Sequence, residues 1–165
     1  MNEDFKLFSN YDENEVNQFA IEHSDSFKDF SRIEGLIIRG HILVERNLTS
    51  AIELVIPCKS EFKPEKFNFS QKLIIGNMLG ISNNFNGEIT ALNKLRNQIA
   101  HTLQYDENHI KTIISGILGK KADVFNSTEN EAQKLGTSIS FICGALHLSH
   151  QQAKIKLLFS ALPAK

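Results

Sequence analysis

The sequence is poor in cysteine and proline and lacks tryptophan and long apolar runs. Its 165 residues include two cysteines, three prolines and no tryptophan. The two cysteines, Cys58 and Cys143, are too few for a disulfide scaffold, and the longest apolar runs are far shorter than a membrane span. The N-terminus, MNEDFKLFSNYDENEV, is acidic and polar, unlike a signal peptide. We therefore expect a cytoplasmic protein without a membrane segment.

The sequence also lacks an excess of either charge. It carries 18 basic and 19 acidic residues, a formal net charge of −1. Without a global basic field, any contact with RNA must be local. The glycines form no phosphate-binding pattern such as G-x-x-x-x-G-K, and there is no acidic cluster suited to Mg²⁺. We therefore predict neither a cofactor nor a metal.

The scarcity of proline leaves long stretches of the chain that can be helical. The length fits a single domain, residues 1–165, with a sizeable core. The apolar pattern predicts helices at about 14–23, from Ser24 or Ser26 to 56, at 70–80, at 88–103, from 107 onward and at 129–160. Gly80 is the expected C-cap of the third helix, and a break near Gly35 or Gly40 is left open. No strand pair stands out, so we predict an all-α bundle with a long C-terminal helix.

The stretch LNKLRNQIAHTL, residues 92–103, places polar side chains among its leucines. On a helical wheel, Arg96 falls within roughly 60° of five apolar residues, namely Ile89, Leu92, Ile99, Ala100 and Leu103. This places Arg96 on the buried stripe, where a guanidinium needs a carboxylate or a bound anion. Asn97 and His101 lie together on one flank, about 100° and 140° from Arg96.

An earlier helix supplies a carboxylate for this arginine. Its apolar stripe consists of Ile33, Ile37, Val44, Leu48, Ala51, Ile52 and Val55. His41 lies inside the stripe and Glu45 at its edge, four residues apart, so that their side chains can touch. We therefore predict that Glu45 orients Arg96 or His101 if the two helices pack together. Arg39 and Arg46 point to the opposite, solvated side.

Structural explanations stand beside the functional ones. An arginine in a helix often extends past apolar neighbours, and a histidine at a core edge is more often a hydrogen-bonded structural residue than a catalyst. Cys143, His147 and His150 lie on consecutive turns of the last helix, which can be interpreted as part of a zinc site. A packed helix face is the favoured interpretation of those three residues, because a structural zinc site needs a fourth ligand.

The segment R-N-Q-I-A-H, residues 96–101, resembles the R-x4-6-H signature of HEPN domains, in which a polar residue, often asparagine, follows the arginine. The surrounding segments GHILVERNLTSAIEL, FSQKLIIGNMLGI and ITALNKLRNQIAHTL occur in the order of helices found in bacterial HEPN-like and mannitol-repressor-like proteins. This similarity covers roughly Phe30 to Asp106. It predicts a HEPN-like helical bundle.

The resemblance also implies a function. In active HEPN proteins, the motif helices of two protomers meet and form a composite, metal-independent ribonuclease site. Many are toxins paired with an antitoxin, often a nucleotidyltransferase, and some act in defence against phage. Other members lack nuclease activity, and the mannitol-repressor branch acts in regulation. Because this sequence has both the arginine and the histidine, the nuclease branch is favoured.

The residue types suit RNA cleavage by the 2′-hydroxyl. An imidazole moves protons near neutral pH, so His101 can act as general base or acid. Arg96 can hold two phosphate oxygens, Asn97 can orient the histidine or donate to phosphate, and Glu45, beside His41, would position Arg96 or His101. The alternative is a non-catalytic dimeric regulator, in which Arg96 and His101 only join two protomers. Expected partners are a second copy of the chain, RNA and a cognate antitoxin.

Overall fold

A computed structural model describes residues 33–56, 60–102, 104–120 and 128–160, with the side chains described up to residue 149. All regular structure in these ranges is helical, which confirms the predicted all-α fold. The five α-helices of the described residues are α1 (Ile33–Val55), α2 (Phe69–Met78), α3 (Asn86–Thr102), α4 (Glu107–Leu118) and α5 (Glu131–Ser160). The predicted helix at 14–23 and the predicted starts at Ser24 or Ser26 lie outside the described residues.

Helix α1 is continuous over 23 residues, so Gly35 and Gly40 do not break it. Gly40 instead allows α5 to approach closely. A Cβ atom built on Gly40 would lie 2.8 Å from two side-chain carbons of Ile139. The missing side chain therefore lets Ile139 pack directly on the backbone of α1.

Helix α2 has defined signals at both ends. The side chain of Asn68 accepts a hydrogen bond from the backbone of Gln71, and the side chain of Gln71 accepts one from the backbone of Asn68. This capping box satisfies two donors that the first turn would leave unpaired. At the other end Gly80 has a φ of 76°, a left-handed conformation that glycine adopts readily. The C-cap is Leu79, one residue before the predicted Gly80, which follows it in the left-handed conformation.

Four of the helices form a closed ring around the core. Helix α1 packs against α5 and α3, and α4 packs against both α3 and α5, while α2 lies on α1 and α3. The predicted packing of the 88–103 helix against the 33–56 helix is confirmed. The centre of the ring is filled by aliphatic side chains without solvent exposure, among them Ile37, Leu48, Ile52, Ile89, Leu92, Leu95, Ile110, Ile113, Leu135 and Ile139. No helix in the described part of the chain is long and apolar enough to cross a membrane.

One carboxylate is buried where α3 and α4 meet. Glu88, in the first turn of α3, has only 8 % of its side chain exposed and accepts a hydrogen bond from the ammonium of Lys120. Gly116 of α4 faces Glu88, and a Cβ atom at this position would collide with the carboxylate. The Lys120 ammonium also lies 5.1 Å from the centre of the Phe85 ring. These contacts join the start of α3 to the end of α4.

Candidate functional site

Arg96, Asn97 and His101 are all exposed on α3. The prediction that Arg96 lies on the buried stripe is therefore wrong. The buried residues of α3 are Glu88, Ile89, Ala91, Leu92, Leu95 and Ile99. On a helical wheel their centre falls about 60° from Arg96, because Ala91, Leu95 and Glu88 extend the buried arc away from it. Arg96 lies at the edge of that arc, and its long side chain reaches solvent.

The partner of Arg96 within the described residues is its own neighbour. Its Nη1 atom donates to Oδ1 of Asn97 at 3.1 Å. Glu45 lies at the edge of the α1 stripe, as predicted, but its Oε1 accepts from Nζ of Lys72 at 2.6 Å. The carboxylate expected to orient Arg96 or His101 therefore bridges α1 to α2 instead. Lys72 is buried although it is charged, and no pattern within α2 predicts it as the partner of Glu45.

His41 lies inside the buried stripe, as predicted, with 5 % of its surface exposed. Its ring packs on that of Phe69, with 4.1 Å between the ring centres and 36° between the planes. Its Nε2 atom lies 3.1 Å from Oδ1 of Asn93. Because an amide oxygen only accepts hydrogen bonds, this contact assigns the ring proton to Nε2. His41 thereby connects α1 to both α2 and α3.

The surroundings of His41 favour its neutral form. Burial lowers the pKa of the imidazole, and the positive charges of Arg96 and Lys72 act in the same direction. The hydrogen bond to Asn93 and the negative charge of Glu45 oppose this shift without reversing it.

Asn93 is the central polar residue that the sequence analysis missed. Its Oδ1 contacts His41, and its Nδ2 donates to Oγ of Ser70 at 3.2 Å. Asn93 therefore joins three helices through one amide group. The sequence does carry a signal for it, since Asn93 stands three and four residues before Arg96 and Asn97 and so shares their side of the helix.

His101 stands apart from this network, in the last turn of α3. It follows Arg96 by five residues, which on an α-helix means about 7.5 Å along the axis and about 140° around it. The two side chains therefore leave α3 in different directions. A single phosphate that contacts both must approach from the side of the helix between them, or one of the two groups must come from a second copy of the chain.

The state of the Cys143 thiol argues against a zinc site on α5. Cys143 is fully buried, and burial raises its pKa to about 12, against the smaller opposing effect of a hydrogen bond with Asn47. Metals bind the thiolate, which this environment disfavours. The described residues contain no group of three or more His, Cys, Asp or Glu side chains placed to hold a metal ion. The side chain of His150 lies outside the described part.

Comparisons with known proteins give no match to a family model, to a curated protein or to a solved structure. The resemblance to HEPN domains thus rests on the residues quoted above.

Proposed function

We propose that this chain is a metal-independent endoribonuclease of the HEPN type, with a composite site at a homodimer interface. The observation that carries the proposal is the exposure of Arg96, Asn97 and His101 on one helix. The guanidinium of Arg96 and the amide of Asn97 can bind phosphate through their N–H donors. The imidazole of His101 can transfer protons.

The proposed reaction uses the 2′-hydroxyl of RNA as nucleophile. Its oxygen attacks the adjacent phosphorus while its proton passes to the imidazole of His101 acting as general base. The bond from phosphorus to the 5′-oxygen breaks, and this oxygen takes a proton from an imidazolium. The products are a 2′,3′-cyclic phosphate and a free 5′-hydroxyl. Arg96 stabilises the negative charge that builds on the phosphate oxygens.

A dimer answers two requirements of this reaction. One imidazole must begin neutral and another protonated, and the R-N-Q-I-A-H segment of each chain contains one histidine. The divergence of Arg96 and His101 around α3 also prevents their side chains from meeting within one protomer. A two-fold axis beside the outer face of α3 would bring two copies of each residue together.

The test incubates purified protein and total RNA with excess EDTA. We expect the wild type to cleave and His101→Ala to lose about 10²–10⁴-fold in rate, the usual contribution of proton transfer. Arg96→Ala should lose a comparable factor, whereas Lys94→Ala removes an exposed charge from the same helix and is the matched control. Because these three side chains are exposed, their loss should change the free energy of unfolding by no more than about 0.5 kcal/mol.

The proposed biological role is that of the toxin of a toxin–antitoxin or phage-defence system, with a cognate antitoxin as partner. Toxicity is tested by inducing the wild-type chain and the His101→Ala chain in growing bacteria. Growth arrest by the wild type alone supports the role, and equal growth of both strains contradicts it.

A second candidate function is a non-catalytic dimeric regulator resembling the mannitol operon repressor. The contact that favours it is the pairing of Glu45 with Lys72, because this carboxylate is then occupied away from His101. In this case Arg96 and His101 join two protomers and no RNA is cut. A dimer that cleaves no RNA, but dissociates when His101 is replaced by alanine, would favour the regulator.

A further inference from the structure

Helix α2 exposes two large apolar side chains on the side away from the core. Ile74 and Met78 have 58 % and 75 % of their surface exposed, and their spacing of four residues places them on one side of the helix. The opposite side of α2 is buried through Phe69 and Leu73, among others. A helix that is apolar on both sides is typical of an element covered from both sides. We call Ile74 and Met78 the α2 patch.

The α2 patch lies in a part of the chain that has almost no charge. Residues 67–87 contain one charged residue, Lys72. This lysine is buried and pairs with Glu45 of α1, so its charge is balanced. The exposed neighbours of the patch on α2 include Ser70 and Gln71, which are polar and neutral.

The α2 patch adjoins the outer face of α3. Two hydrogen bonds join α2 and α3: Nδ2 of Asn93 donates to Oγ of Ser70 at 3.2 Å, and Nδ2 of Asn77 donates to Oδ1 of Asn86 at 2.7 Å. The bonded residues are seven apart on each helix and run in opposite order, so α2 and α3 lie side by side and antiparallel over about two turns. Ile74 lies about 40–60° from Ser70 and Asn77 on a helical wheel. The patch and the outer face of α3 therefore form one continuous surface.

The outer face of α3 is poorly suited to hold two copies together by itself. It carries Thr90, Lys94, Asn97 and His101, and none of the exposed side chains of α3, a helix described from end to end, is a large apolar one. The 17 residues of α3 give a footprint of about 25 Å by about 10 Å, whereas a standard interface buries roughly 800 Å² on each partner. The exposed charged side chains of α3, Lys94 and Arg96, are both positive and oppose the approach of a second copy. The dimer therefore needs an apolar contact beside α3.

We propose that the α2 patches of two copies pack on each other and form the apolar contact of the homodimer. A two-fold axis that crosses α2 and α3 at right angles places each helix opposite its own copy, so that both the patches and the outer faces of α3 meet. The patches carry no charge, so they meet without repulsion, and their contact removes apolar surface from water. This inference rests on the homodimer of the proposed function and names the contact that holds it.

The other exposed isoleucines, Ile38 and Ile42 on α1, are less suited to this contact. Charged residues of α1 stand three or four positions from one or the other of them, namely Glu34, Arg39, Glu45 and Arg46. An interface centred there would have to remove charged groups from water, which is costly. Ile42, with 59 % of its surface exposed, is therefore a matched control for Ile74.

Nucleic acid and membrane surfaces fit the α2 patch less well than a second copy does. Single-stranded RNA binds through cations and aromatic side chains, and the patch has neither. A helix that lies on a membrane surface is usually rich in exposed lysine and arginine, whereas the one lysine of α2 is buried. A partner protein with an apolar face remains as the competing occupant, and the oligomeric state of the isolated chain separates it from a second copy.

The test measures the dissociation constant of the dimer by sedimentation velocity over a range of protein concentrations. We expect the wild type to be a dimer at micromolar concentration. Ile74→Ser should raise the dissociation constant by about 30-fold or more, the effect of removing a central apolar residue of an interface. Met78→Ser should act in the same direction, and Ile42→Ser should leave the constant unchanged. Circular dichroism melts check the folding of each variant, and Met78→Ser, at the last residue of α2, decides the matter if Ile74→Ser does not fold.

Cleavage of RNA gives a second measurement that tells dimer formation from catalysis. At a concentration where Ile74→Ser is monomeric, its cleavage should fall, and raising the protein concentration should restore it. The same increase should not restore His101→Ala.

Two results overturn the inference while leaving the ribonuclease open. One is a dimer that persists unchanged in Ile74→Ser and Met78→Ser, and the other is a dimer that dissociates with Ile42→Ser instead. A wild type that is monomeric, or that associates only with a different protein, overturns both the inference and the composite site. A dimer that responds to Ile74→Ser as expected but cuts no RNA supports the inference and refutes the ribonuclease.

Discussion

Replacing Lys120 by methionine should destabilise the protein through the buried carboxylate of Glu88. The Glu88 side chain is 8 % exposed and that of Lys120 is 40 % exposed, so the two partners of this ion pair differ in their access to water. Methionine keeps much of the length of lysine but removes the ammonium. The carboxylate of Glu88 would then remain buried without the ammonium that pairs with it.

The magnitude follows from this asymmetry. Removing one partner of a fully buried pair costs about 3–5 kcal/mol, but water can enter where the half-exposed Lys120 stood. We therefore expect a loss of about 1–3 kcal/mol, the range for a buried polar group left unsatisfied. Adding Glu88→Leu removes the unpaired charge, so the double variant should be more stable than Lys120→Met alone.

The measurement is urea-induced unfolding followed by circular dichroism. The denaturation midpoint should fall for Lys120→Met and recover in part in the double variant. The slope of the unfolding free energy against urea concentration should stay unchanged. Lys111→Met removes an exposed lysine from α4 and serves as control. If Lys120→Met lies within about 0.5 kcal/mol of that control, the pair behaves as an ordinary surface salt bridge and the reasoning fails.

Three further predictions concern other parts of the core. Burial lowers the pKa of His41, so the unfolded chain binds a proton at this position more readily than the native state does. The wild type should therefore lose stability relative to His41→Gln as the pH falls below about 6.5. Urea titrations should show a loss of at most about 1.4 kcal/mol per pH unit. Gly76→Ala would place a Cβ atom 2.6 Å from Leu48 and should lower stability by about 1–3 kcal/mol in the same assay, whereas Gly87→Ala, with open space around it, should not. Cys143, with its pKa raised to about 12 by burial, should react with a thiol reagent only after unfolding.

The helices were predictable from the sequence because their signals are local. Sparse proline and an apolar period of about 3.6 residues specify where helices form, and Gly80 fixes the end of α2 through its left-handed conformation. The stripe of α1 was predictable for the same reason, and the burial of His41 follows from it. The position of α2 was not predictable in this way, because it depends on contacts between residues far apart in the sequence.

The error about Arg96 has a definite origin. The apolar residues nearest to Arg96 on the wheel predict that it is buried, whereas the centre of all the buried residues of α3 lies about 60° away from it. Leu95 and Ala91, both buried, lie on the far side of that arc. The pairing of Glu45 with Lys72 needed the packing of α2 on α1, which no pattern within a single helix contains.

The structure divides the polar side chains of α3 into two groups with different consequences. Asn93 is held by His41 and Ser70 and joins three helices, so its role in the fold is sufficient reason for its presence. Arg96 and His101 are exposed and contribute little to the packing of a single chain, so both functional hypotheses require them to act on something outside it.

Stability measurements therefore separate the two groups before any RNA is added. Asn93→Ala should cost about 1–3 kcal/mol, because it leaves polar groups of the network without partners, whereas Arg96→Ala and His101→Ala should be near neutral in the monomer. If the two exposed residues instead prove necessary for the monomer to fold, neither the ribonuclease nor the regulator explains them.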